Sequence, residues 1–60
     1  MKLVITIDLS NDAFQPDPGP EVGRILYELA RDIKDEGELV DYSPIADVNG
    51  NIVGRYRLEE

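Results

Sequence analysis

The chain has 60 residues, 42% of them apolar and 32% charged, which is the make-up of one small globular domain. Thirteen acidic residues against six basic ones give a net charge of −7, so the electrostatic footprint of an ordinary DNA or RNA binder is absent. With no cysteine and no histidine, the usual zinc, haem and iron–sulfur ligand sets and the Ser-His and Cys-His nucleophile arrangements are excluded as well.

The first element predicted is a strand over residues 2–9, where Leu3, Ile5, Ile7 and Leu9 alternate with Val4, Thr6 and Asp8. Thr6 and Asp8 break the apolar run and no small-residue cleavage site follows, so this segment reads as a strand rather than a signal peptide. Residues 10–19 gather prolines, a glycine and other turn-formers and are predicted as an ordered loop, with Phe14 tucking it onto the end of the next element. A helix is predicted over residues 20–36, because Val22, Ile25, Leu26, Leu29 and Ile33 form one apolar stripe at helical spacing. Pro20 suits its first turn and Gly37 its left-handed stop, while Asp17-Pro18 is a rival start.

Residues 38–58 are predicted as a hairpin, with Asp47-Val48-Asn49-Gly50 as a type I turn and Gly50 left-handed. A regular ladder continued from that turn puts Val40 opposite Leu58, Tyr42 opposite Tyr56 and Ala46 opposite Ile52 on one face. Asp41 then faces Arg57, Ser43 faces Arg55 and Ile45 faces Val53 on the other. Pro44 argues for an edge strand. The fold class expected is α+β: a single β-α-β-β domain spanning residues 1–60, with one helix packed on a three-stranded mixed sheet. The last strand is placed in the middle, with a central second strand as the alternative. The helix is expected to cover Leu3, Ile5, Ile7, Val40, Tyr42, Ala46, Ile52, Tyr56 and Leu58. The other face would expose Val4, Thr6, Ile45 and Val53 beside Arg55, forming a candidate dimer or partner surface.

No residue pattern points to catalysis or to a cofactor. Asp8, Ser10 and Asp12 have the spacing of a calcium loop, but Ala13 stands where that loop needs glycine, so they read as turn-formers. A non-enzyme is therefore expected, with no metal and no cofactor. Asp32, Asp35, Glu36 and Glu38 crowd the C-terminal end of the helix, where they oppose the macrodipole. Acids placed against local stability suggest use as a partner-binding patch, with Glu28 and the exposed aromatic Tyr27 beside them.

The stretches Pro18-Gly19-Pro20-Glu21-Val22-Gly23-Arg24-Ile25-Leu26 and Asp47-Val48-Asn49-Gly50-Asn51-Ile52-Val53-Gly54 resemble the short acidic proteins encoded by phages and prophages. Some of that group look like anti-defence proteins, including anti-CRISPR inhibitors that bind a host effector stoichiometrically. The resemblance implies a cytoplasmic inhibitor whose acidic surface acts as a DNA mimic against a basic nucleic-acid-binding site of a host defence complex. It contributes no functional residue by match. The competing expectations are an assembly module that homodimerises through the open sheet face and an acidic antitoxin-like partner of a basic toxin.

Overall fold

The computed structural model describes residues 1–37 and 39–60. The elements in chain order are strand β1 (Lys2–Ile7), a single 3-10 turn (Asp12–Phe14), helix α1 (Gly19–Glu36), strand β2 (Tyr42–Ala46) and strand β3 (Ile52–Glu59). The strands form one sheet in the order β1-β3-β2, with the last strand central. Both neighbouring pairs are antiparallel, so the sheet is antiparallel and not mixed. β1 and β2 run in the same direction but never pair.

Helix α1 begins one residue earlier than the apolar stripe indicates. Asp17 Oδ1 accepts from Gly19 N at 3.1 Å, and Val22 N donates to Pro18 O at 3.0 Å. Pro18 is thus the N-cap residue and has no side-chain cap, Asp17 closes a local turn just ahead of it, and Pro20, which has no N–H to satisfy, falls in the first turn. At the other end Gly37 is left-handed, with φ 76°, and its N–H closes on Ile33 O at 3.0 Å.

The hairpin turn has the conformation its residues predict. Gly50 has φ 86° and donates to Asp47 O at 3.0 Å, while Asp47 N donates to Asn51 O at 2.8 Å. Ala46 then pairs with Ile52 as expected, but the next pair is Ile45 with Gly54. Val53 is an extra residue in β3, a bulge that shifts the rest of the ladder by one. Ser43 consequently faces Tyr56, Pro44 faces Arg55 and Tyr42 faces Arg57. Because side chains alternate along a strand, this slip reverses the faces of β2.

The packing follows from that reversal. Ile45 and Val53, expected on the open face, are buried with Phe14 and Ile25, and Ile7, Ala13, Val22 and Leu29 pack around them. Ile52 and Tyr42, expected beneath the helix, are 66% and 58% exposed, and Val40, Ala46, Leu3 and Ile5 are also left exposed. Tyr56 is buried as expected, and Leu58 is half-buried. Phe14 is the one fully buried large side chain among the described residues, so the loop contributes the centre of the core rather than a cover for the helix end. Asn11 Oδ1 fixes that loop by accepting from Ala13 N at 2.9 Å.

Gly54 follows the bulge directly and is also the point of closest approach to β1. It lies in the central strand between Ile7 and Ile45. A Cβ at this position would stand 1.9 Å from Thr6 O and 2.9 Å from Ile7 Cα. β1 therefore lies against β3 here at a separation that only glycine permits.

Candidate functional site

The side of α1 nearer β2 does not close onto the sheet and leaves a groove of about 280 Å³. Its floor is apolar, made by Ile25, Leu29 and Ile33 of α1 with Ile45 and Tyr56 of the sheet. Its helical rim is acidic: Glu28, Asp32 and Glu36 line it at successive i, i+4 positions. Eight residues at the helical rise give this rail a length of about 12 Å. Ser43, Pro44 and Ala46 of β2 form the opposite wall.

The structure divides the acidic cluster anticipated from sequence. Glu28, Asp32 and Glu36 share the groove, while Asp35 and Tyr27 are exposed elsewhere on α1. Glu38 lies outside the described residues. Glu28 is held by Arg24, whose Nη1 donates to its Oε2 at 2.5 Å. Among the described residues Asp32, Asp35 and Glu36 make no ion pair, so Asp32 and Glu36 carry the uncompensated charge of the rail.

Among the described residues two carboxylates outside the groove, those of Glu21 and Asp47, are buried, and both serve the fold. Glu21 accepts from Arg24 Nε and Nη2 at 2.8 and 2.9 Å and from Val48 N at 2.8 Å, which clips the start of α1 to the hairpin turn. The Arg24 hydrogen bond holds the Glu21 carboxyl below its ordinary range against the opposing effect of burial, and the same contact raises the Arg24 guanidinium. Asp47 Oδ1 accepts from Asn49 N and Asn51 N, each at 2.9 Å. Burial alone would raise this carboxyl, but the hydrogen bonds from Asn51 and Asn49 outweigh it and hold it low. With their oxygens engaged by the protein's own donors, neither group is poised for proton transfer. Among the described residues, no group of three carboxylates is placed to hold a metal ion.

The open sheet face differs from the apolar patch expected of it. Val4, Thr6 and Arg55 lie there, since Val4 pairs with Arg57 and Thr6 with Arg55, but Ile45 and Val53 have left for the core. Lys2, Arg55 and Arg57 make this side basic, with Glu59 bound to Arg57. The candidate dimer surface built on Val4, Thr6, Ile45, Val53 and Arg55 is thereby corrected, because two of its three aliphatic contributors are inside.

The signal for the groove that sequence reasoning passed over was Gly54. An isolated glycine in a strand pattern marks a bulge or a close backbone approach, and here it marks both. No helix among the described residues is long and apolar enough to cross a membrane. No protein-family model, curated protein or solved structure matches the chain.

Proposed function

We propose that this chain is a non-catalytic protein-binding module that takes a basic amphipathic segment of a partner along the groove between α1 and β2. The observation that carries the reading is the alignment of Glu28, Asp32 and Glu36 along a floor of Ile25, Leu29, Ile33, Ile45 and Tyr56. Such a groove matches a helix with apolar residues on one face and Lys or Arg on its flank. Pro44 favours side-chain recognition over strand addition. Leu58 N donates to Asp41 O, so by antiparallel alternation the Pro44 nitrogen points away from β3, where an added strand would need a donor.

In its specific form the module is an inhibitor acting in the cytoplasm of a host cell, and the basic surface it occupies is a nucleic-acid-binding site of a defence complex. The net charge of −7 supports that form. The test is affinity capture from host lysate with the wild-type chain and with Asp32→Lys/Glu36→Lys, at low and moderate salt. A basic nucleic-acid-handling protein retained by wild type, released by salt and lost with the charge-reversed variant is the expected result. Identical retention by both chains would overturn the site.

A further inference from the structure

We infer that the free edge of β1 is a dimerisation surface, pairing antiparallel with β1 of a second copy across a two-fold axis at Ile5. Asp8 N donates to Val53 O at 2.7 Å, and this fixes which backbone groups of β1 point inward. By alternation along the antiparallel ladder, Lys2, Val4, Thr6 and Asp8 bond β3. Leu3, Ile5 and Ile7 therefore direct their N–H and C=O groups outward, away from the sheet. That row holds three donors and three acceptors with no proline to interrupt it. The opposite edge of the sheet is interrupted by Pro44, whereas no proline interrupts β1, whose one charged residue, Lys2, stands at its end.

The side chains around this edge are apolar where a partner would cover them. Leu3 and Ile5 lie on the helix side of the sheet and are 44% and 40% exposed. Two half-exposed aliphatics thus lie on one unpaired strand edge.

The sequence of β1 is complementary to itself in the register that the outward groups require. With Ile5 opposite Ile5 of the second copy, Leu3 meets Ile7, Val4 meets Thr6 and Lys2 meets Asp8, each twice by symmetry. The hydrogen-bonded pairs are those of Leu3, Ile5 and Ile7, whose backbone groups are unpaired in the monomer. Lys2 and Asp8 fall on the open face, at a position where directly opposed side chains approach closely. Lys2 makes no ion pair among the described residues. The occupant that fits both the charge pattern and the register is a second copy. The result is a continuous six-stranded sheet with the two grooves at its far ends, so the inference does not depend on what the grooves bind.

Sedimentation equilibrium and amide hydrogen exchange on the intact chain test this. The mass should rise with concentration from 6.7 kDa to twice that value. The Ile5 amide should become protected over the same range, while the Thr6 amide is protected throughout. Lys2→Glu and Asp8→Lys should each weaken dimerisation about tenfold, since each replaces two attractions by two repulsions. An equimolar mixture of the two variants restores both ion pairs and should dimerise like wild type, which also shows that each variant is folded. A mass of one chain at millimolar concentration, an Ile5 amide that never becomes protected, or a dimer indifferent to both substitutions would overturn the proposal.

Discussion

Adding one methyl group at Gly54 and adding one at Gly23 should move stability in opposite directions. At Gly54 the new Cβ would lie 1.9 Å from Thr6 O, so β1 would have to retreat by more than about 1 Å to reach an ordinary contact. The atom in the way is backbone, so no side-chain rotation relieves the clash. A retreat of that size breaks the neighbouring ladder bonds, including the 2.7 Å bond from Asp8 N to Val53 O. Two such bonds at about 1 kcal/mol each, with about 1–3 kcal/mol of overpacking, give a loss of about 3–5 kcal/mol. A domain of this length has only about 3–9 kcal/mol in total. At Gly23 nothing lies within 4 Å of the added atom, and Gly23→Ala in the helix interior should gain about 0.5–1 kcal/mol. Urea unfolding followed by circular dichroism reads both changes. A Gly54→Ala variant within about 0.5 kcal/mol of wild type would refute the account of the close approach between β1 and β3.

Other consequences follow from the core, the turn and the buried carboxylates. Phe14→Ala should cost about 3–5 kcal/mol and abolish the cooperative thermal transition, whereas the same change at exposed Tyr27 should leave it intact. Gly50→Ala places a side chain at φ 86° and should cost about 1 kcal/mol in urea, with Gly50→Asn costing less. Glu21 and Asp47 are held below their ordinary values of 4.5 and 3.8. Their stabilising contribution is complete above those values and is lost as pH falls through the lower folded-state values. Melting temperature should therefore drop below about pH 4.5. In Glu21→Gln it should be lower at neutral pH and fall less steeply on acidification; an equally steep fall would contradict the role given to Glu21.

The fold was legible wherever one residue type has one structural use. Gly37 and Gly50 mark left-handed positions, the stripe from Val22 to Ile33 marks a helix, and Pro44 marks an edge. The faces of the hairpin were not legible in the same way. Ile52 and Val53 are adjacent and both apolar, so either can be assigned to the core, and a slip of one residue exchanges every side chain of β2. The regular ladder was attractive because it paired Asp41 with Arg57 and Ile45 with Val53, favourable contacts that nonetheless carry less weight than burial. Gly54 held the missing information. The sequence pattern places Phe14 in a loop near the helix end; its place at the core's centre depends on how the 3-10 turn folds under α1, which no periodicity reports. At the site, helical spacing alone grouped the acids of α1, but which of them flank an apolar floor depends on where the sheet leaves α1 uncovered.

The most direct test of the groove is a titration of the isotopically labelled chain with a synthetic helical peptide carrying lysines at i, i+4 and i+8 beside a leucine face. Amide shifts should concentrate at Glu28–Glu36 and Ser43–Ala46, weaken as salt rises, and disappear in Asp32→Lys/Glu36→Lys. Shifts centred on Arg55 and Arg57 of the open face, or an unchanged response in the charge-reversed variant, would contradict the account.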